Sequence, residues 1–111
     1  MRRPGPRSPW RPWPNDMPTV GVLTLELHIE DAHSLKDKRH TVKGLKDRLR
    51  SKFNVAVAEI DYQDVWQRSL ISAVTVSGDH ARAEQTLQMV EREAAHILGG
   101  VLVGTTLEWI E

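Results

Sequence analysis

The chain has 111 residues, with 15 basic and 15 acidic side chains and a formal net charge of zero. That length suits a single domain with a modest core and leaves no room for two domains. Cysteine is missing, which excludes disulfides, thiolate metal sites and a cysteine nucleophile and fits a reducing compartment. No apolar run reaches the roughly 18 residues of a transmembrane helix. We therefore expect a cytoplasmic protein without a membrane partner.

All six prolines fall between positions 4 and 18, which marks a boundary near residue 18. Because proline fixes φ and removes a backbone donor, residues 1–17 are expected to form a disordered tail ahead of one domain over 18–111. The tail lacks the apolar segment of a signal peptide. It is functionally silent if Met17 is the true start; alternatively, its Arg and Trp side chains contact an anionic partner.

Alternating apolar residues predict a first strand over 20–29. Ser34, followed three residues later by Asp37, forms a variant of the capping box and predicts a helix over 35–52. Gly44 lies inside this helix at a cost of about 1 kcal/mol relative to alanine, which reflects close packing or bending, or is incidental. The apolar face of the helix carries Leu35, Val42, Leu45, Leu49 and Phe53.

The rest of the domain predicts three more strands and a second helix, and no internal repeat is visible in the sequence. Residues 55–60 and 69–77 are rich in β-branched side chains, and the short polar link between them predicts an antiparallel hairpin. Asp79 can cap a second helix over 80–98, which a glycine pair ends. Residues 101–110 then form the last strand.

The order β-α-β-β-α-β predicts an α+β fold of the ferredoxin-like type, with a four-stranded antiparallel sheet and both helices on one face. The other face is then open, and we expect it to form a homodimer because exposed apolar patches tend to be covered by a partner. The candidates for the open face are Val20, Val22, Thr24, Val101, Val103, Leu107 and Trp109. Alternatively, some of these residues point towards the helices.

The first predicted helix is strongly basic. Residues 35–52 hold eight basic and two acidic side chains, whereas residues 18–111 as a whole carry a net charge of −3. The candidate nucleic-acid-binding residues recur every three or four positions and are Lys36, Arg39, Lys43, Lys46 and Arg50. Such a stripe can neutralise several phosphates. The alternative is a solvated face that pairs with acidic residues, and the acidic balance of the domain counts against a dedicated high-affinity nucleic-acid binder. Lys38, at the edge of the apolar face, is expected to keep its charge in water.

A polar cluster lies in the predicted hairpin. It consists of Glu59, Asp61, Asp64, Trp66, Gln67 and Arg68. The carboxylates could bind a cation or act as acid and base, with His33 or His40 nearby. The favoured interpretation is structural: Trp66 covers the sheet edge and Arg68 pairs with a carboxylate. No nucleophile motif or phosphate-binding loop occurs, so we assign no catalytic residue, metal or cofactor and favour a non-enzymatic protein.

Several segments resemble the YlxP-like bacterial family, known as domain of unknown function 503. They are V-G-V-L-T-L-E-L-H-I (20–29), S-L-K-D-K-R (34–39), V-K-G-L-K-D-R-L-R-S-K-F-N-V-A-V-A-E (42–59) and D-Y-Q-D-V-W-Q-R (61–68). The resemblance implies a compact ferredoxin-like protein with no established activity. It also implies a role near the ribosome or RNA, because members are often encoded beside translation genes. The motif positions, to which the resemblance assigns no role, include Lys38, Glu59, Asp64, Trp66, Gln67 and Arg68.

Three functions are compatible with these patterns. The first is a dimeric, non-enzymatic protein that contacts rRNA or a ribosome-assembly particle through the basic helix. The second is a small-ligand or metal-binding protein, or an enzyme, that uses Glu59, Asp61 and Asp64. The third is a homo-oligomeric interaction module that makes contacts through Trp66 and the open sheet face. Nothing in the sequence points to DNA.

Overall fold

The computed structural model describes residues 18–110, so the tail expected over residues 1–17 lies outside the described part of the chain. The elements follow in the predicted order: β1 (Thr19–His28), α1 (Leu35–Lys52), β2 (Ala56–Asp61), β3 (Arg68–Ser77), α2 (His80–Leu98) and β4 (Leu102–Ile110). A 3-10 turn, Gly99–Val101, joins α2 to β4. Both helices have the predicted bounds. β1 and β2 are displaced by one residue from their predictions, and β3 and β4 differ by one residue at their first position.

The four strands form one antiparallel sheet in the order β2-β3-β1-β4. Residues from α1 and α2 join one core with residues of the sheet. This arrangement confirms the predicted ferredoxin-like α+β fold. The edge strands are β2 and β4, and β2 lies on the same side of the molecule as α1.

Both helices begin at the predicted caps. The Ser34 hydroxyl accepts a hydrogen bond from the Asp37 amide at 3.1 Å, and the Asp37 carboxylate accepts one from the His33 amide at 3.0 Å. The reciprocal arm of the capping box therefore reaches the residue before the cap rather than the cap itself. The Asp79 carboxylate accepts from the Ala81 amide at 3.1 Å at the start of α2. These bonds satisfy amides that have no partner inside the helix.

The core lies between the helices and one face of the sheet. Alternate residues of β1 point into it, because side chains alternate across a strand. The core residues with the least exposure are Leu23, Leu25, Leu27, Leu45, Leu49, Ile71, Ala73, Leu87, Val90 and Ala94. The buried face of α1 consists of Lys38, Val42, Leu45 and Leu49. Leu35 and Phe53, which the sequence places on this face, are only half-buried.

The register of the sheet corrects part of the predicted open face. Val20, Val22 and Thr24 alternate with the buried leucines of β1 and lie on the open face, as expected. Leu107 and Trp109 pair with Leu23 and Gly21, so they share the face that carries the helices. The prediction was wrong for these two residues because the face that an edge strand presents is set by its register with the neighbouring strand, which the alternation of its own side chains does not reveal. Val101 lies in the 3-10 turn rather than in the sheet.

Candidate functional site

The predicted basic stripe borders a cleft between α1 and β2. The cleft has a volume of about 380 Å³ and is lined by Arg39, Val42, Lys43, Lys46, Asp47, Arg50 and Glu59. Four of the five candidate residues therefore line one concavity, because three- and four-residue spacing keeps them on one side of the helix. Lys36 is exposed one turn before Arg39 and lies outside the lining. We call this surface the basic cleft.

An acidic side chain neutralises the middle of the basic cleft. The Asp47 carboxylate lies 2.6 Å from Lys43 Nζ and 3.0 Å from Arg50 Nη2. Hydrogen bonds from Lys43 and then Arg50 lower the pKa of Asp47 below its usual value, since they stabilise the ionised form. Among residues 18–110, Lys36, Arg39 and Lys46 have no carboxylate within ion-pair distance.

Two further basic residues of α1 face the second helix. Arg48 Nε and Lys52 Nζ lie 3.0 Å and 2.8 Å from the two oxygens of Glu93 on α2. The hydrogen bond from Lys52, followed by that from Arg48, lowers the pKa of Glu93. Arg48 and Lys52 therefore fit the alternative interpretation, in which cations of the helix are solvated and pair with acidic residues, because both pair with Glu93.

Lys38 does not reach water, contrary to the sequence interpretation. Its side chain is completely buried, and its ammonium lies 2.8 Å from Glu59 Oε2 on β2. The same ammonium donates to the carbonyl oxygens of Tyr62 and Gln63, and Glu59 Oε2 also accepts from the Ser69 hydroxyl at 2.6 Å. Position 38 precedes the buried Val42 by one helical turn, so the lysine points towards the sheet.

The Lys38 network fixes the loop between β2 and β3. Tyr62 has a φ of +64°, a left-handed conformation that is uncommon for residues other than glycine. Lys38 binds its carbonyl, the Asp61 carboxylate accepts from its amide at 2.7 Å, and the Arg68 guanidinium lies 4.2 Å from its ring centroid. Contacts on both sides therefore hold this strained residue, and the loop has one well-defined shape.

Gln67 joins the same loop to the segment that leads into α1. Its Nε2 donates to the carbonyl oxygens of Glu30 and Ala32 at 3.0 Å and 3.3 Å, and its own carbonyl accepts from the Ile29 amide at 2.8 Å. Arg68 pairs with a carboxylate as expected, and the partner is Glu26 at 3.3 Å. These contacts give Gln67 and Arg68 structural roles.

Trp66 and the carboxylates of the loop have separate surroundings. Trp66 is 51% exposed, so about half of its surface lies in contact with solvent. Glu59 points inwards to Lys38, Asp61 binds the backbone, and Asp64 is exposed. Over residues 18–110 no group of three or more His, Asp or Glu side chains is arranged to hold a metal ion. The proposed carboxylate site, with His33 or His40, is therefore not assembled in this part of the chain. Over the same residues, neither helix has the length and apolarity to cross a bilayer.

Comparison with known proteins gives the family. Residues 20–104 match the family described as "Protein of unknown function (DUF503)". The chain belongs to this family. It is similar to the "Uncharacterized protein YlxP" of Bacillus subtilis (strain 168), with 42% identity over 71 residues, which cover 64% of this chain and 77% of that relative. The family assignment confirms the resemblance in the sequence motifs.

Two solved structures are similar to this chain at low identity. One is a C-terminal segment of the alpha subunit of aIF2 from Pyrococcus abyssi, with 15% identity and a TM-score of 0.48 over 86% of this chain; the match spans 52% of that segment. The other is a de novo designed protein with a ferredoxin fold, with 16% identity and a TM-score of 0.45, over 85% of this chain and 84% of the design. These similarities concern the fold alone.

The structure adds residues that the sequence interpretation missed. Ser69 and Tyr62 belong to the Lys38 network, and Asp47 belongs to the basic cleft. The sequence did contain a signal for the burial of Lys38. It lies four residues before Val42, and this spacing places both side chains on the apolar face of the helix. A buried lysine requires a carboxylate partner, and Glu59 lies on a predicted neighbouring strand. No local sequence pattern marks Tyr62, because its conformation depends on contacts with distant residues.

Proposed function

We propose that this protein binds RNA through the basic cleft and acts as a non-enzymatic partner of rRNA or of a ribosome-assembly particle. The observation that carries the proposal is that Arg39, Lys43, Lys46 and Arg50 line one concave surface. Guanidinium groups can bind phosphate oxygens in pairs, and lysines add further positive charge. A concave basic surface suits a phosphate backbone better than the same charges scattered over the molecule.

The dimensions of α1 support several simultaneous phosphate contacts. From Lys36 to Arg50 the helix rises by about 21 Å, at about 1.5 Å per residue. Asp47 offsets part of the charge of Lys43 and Arg50. We therefore expect about three to five phosphate contacts, which for single-stranded RNA gives a log–log salt slope of about −2 to −3.5. Between 50 and 200 mM KCl this slope weakens binding by about 20- to 130-fold.

Charge reversal at two cations that have no ion pair among residues 18–110 tests the proposal directly. Binding of a fluorescein-labelled 12-nucleotide RNA and of a labelled RNA hairpin is followed by fluorescence anisotropy at both salt concentrations. The double variant Lys36→Glu/Arg39→Glu is expected to bind at least about tenfold more weakly at 50 mM KCl, because it loses about two contacts. The matched control Arg82→Glu/Arg92→Glu makes the same charge change at exposed residues of α2. Equal losses in both variants, with unchanged circular dichroism, would refute a site at the basic cleft.

Asp47→Asn gives the opposite perturbation at the same place. Removal of this carboxylate releases Lys43 and Arg50 from their ion pair. Binding is expected to tighten several-fold, and the salt slope should steepen by about 1.4 if both cations then contact phosphates. An affinity that does not change, or that falls, would contradict the role of these two cations.

A sucrose gradient of cell lysate tests the ribosomal part of the proposal. The native protein is expected to migrate with ribosomal subunits at low salt and to remain at the top of the gradient at high salt. The Lys36→Glu/Arg39→Glu variant should stay at the top under both conditions. If the native protein migrates only at the top, ribosomal particles are excluded as its partner. Binding to other RNA is then judged from the anisotropy assay alone.

A further inference from the structure

The face of the sheet opposite the helices is uncovered within residues 18–110. We call it the open face. Its residues, read from the strand register, are Val20, Val22, Thr24, Glu26, Ala56, Ala58, Leu70, Ser72, Val74, Val76, Gly104, Thr106, Glu108 and Ile110. Val76 and Ile110 are 56% and 58% exposed, which is high for large apolar side chains in strands. We propose that a second copy of this chain covers the open face.

The open face has the composition of a packing surface. The row across Val76, Val20 and Ile110 is entirely apolar, and Val22 and Val74 continue it in the next row. At the centre the hydroxyls of Thr24 and Ser72 lie 2.7 Å apart, and one donates to the other, which offsets part of the cost of covering them. Burial of the surrounding apolar side chains is favourable.

Charged groups lie at the margins of the open face. Glu26 pairs with Arg68 towards one end, and Glu108 lies on the edge strand β4. The middle carries no charge to attract RNA or a strongly charged protein. A two-fold interface requires a surface that is complementary to itself, which the uncharged middle of the face, made of Val, Ser and Thr side chains, satisfies. These properties favour a second copy over a charged partner.

The area of the face meets the requirement of a stable dimer. Four strands about 4.8 Å apart, rising about 3.3 Å per residue, give the face a flat area of about 550 Å². Two copies together would bury about 1,100 Å² if both faces are treated as flat, and side chains that project from the sheet add to this area. The value exceeds the roughly 1,000 Å² expected of a biological interface. Stacked sheets pack about 10 Å apart, so short side chains suffice to fill the gap.

This arrangement determines where the basic clefts lie. The helices cover the face of each sheet that points away from the interface, so both α1 helices lie on the outside of the dimer. If the basic cleft binds RNA as proposed above, each dimer carries two sites that face away from one another. The dimer itself does not depend on RNA binding, and the following test needs no RNA.

Sedimentation velocity of the full chain between 1 and 100 µM tests the proposal. The chain mass is 12.6 kDa, and a species of twice that mass is expected. The variant Val74→Glu places a charge in the middle of the open face and is expected to raise the dimer dissociation constant at least about 100-fold, since burial of an unpaired charge is costly. The matched control Met89→Glu, at an exposed apolar residue of α2, should dimerise normally.

Cysteine cross-linking keeps the proposal testable if Val74→Glu does not fold. The chain has no cysteine, so a single introduced cysteine can be cross-linked only to a second copy of the chain. Stacked sheets pack about 10 Å apart, which is too far for a direct disulfide. Thr24→Cys, at the centre of the open face, is therefore expected to be cross-linked by a bismaleimide that spans about 10 Å, and Met89→Cys is not. A full chain that is monomeric at 100 µM, or cross-linking of Met89→Cys alone, would overturn the proposal. A monomer would indicate that residues 1–17 or another protein covers this face.

Discussion

The substitution Lys38→Met tests the role of the buried lysine. Lys38 is fully buried and its ammonium has three partners: the Glu59 carboxylate and the carbonyls of Tyr62 and Gln63. Loss of one member of a buried ion pair costs about 3–5 kcal/mol, because the other charge stays buried without compensation. The Glu59 side chain is 17% exposed, and water can reach it in part, so we expect the lower end, about 3 kcal/mol.

A second variant separates the unpaired charge from lost packing. In Lys38→Met/Glu59→Gln the amide can still accept from Ser69, but no carboxylate is left without its cation. The double variant is therefore expected to be about 1–2 kcal/mol more stable than Lys38→Met alone, which corresponds to a favourable coupling between the two sites. If the double variant were the less stable of the two, Glu59 would not depend on Lys38.

Urea unfolding followed by far-ultraviolet circular dichroism measures both effects. The midpoint is expected to fall with no change in the m-value, and the melting temperature of Lys38→Met should fall by about 12–24 °C. Lys36→Met is the control, because this lysine is exposed in the same turn of α1, and we expect a change within about 0.5 kcal/mol. A loss below about 1 kcal/mol for Lys38→Met would refute the reasoning.

Two further predictions concern stability. A Cβ at Gly21 would lie 2.6 Å from Trp109 and 2.7 Å from a methyl of Leu87, so Gly21→Ala is expected to cost about 1–3 kcal/mol in urea unfolding. Gly44→Ala meets nothing within 4 Å in a helix interior and should gain about 0.5–1 kcal/mol; the opposite order would contradict this packing. For Glu93, hydrogen bonds from Lys52 and Arg48 lower the folded-state pKa below the usual 4.5, so the stability it contributes is present above that pH and is lost as pH falls. Stability measured from pH 6 to pH 3 should therefore fall less in Glu93→Gln than in the native chain, and equal losses would exclude this contribution.

The fold could be predicted because the local signals agree with one another. Ser34 and Asp79 mark the starts of the two helices, and the structure confirms both as caps. Such signals act between residues that are close in sequence. The assignment of Leu107 and Trp109 to a face depends on the register of β4 with β1, and no pattern within β4 reveals that register.

For the candidate site, the sequence predicts which residues lie together only where the spacing of residues along one helix determines their positions. The basic stripe keeps its spacing on α1, so four of its members line one cleft as periodicity predicts. Partners across the fold could not be predicted in the same way. Asp47 lies within the stripe and was visible in the sequence, but the pairing of Lys38 with Glu59 depends on how far α1 is rotated against β2.

That rotation connects the family motif with the basic cleft. Consecutive residues of a helix point about 100° apart, so the burial of Lys38 requires Arg39 to turn towards the outside, where it lines the cleft. Gln67 fixes the segment before α1 to the hairpin loop, and Lys38 fixes the first turns of α1 to the same loop. Lys38 and Gln67 therefore set the orientation of the helix. It follows that the exposed residues of α1, Arg39 among them, are the ones to test for binding, rather than the buried Lys38.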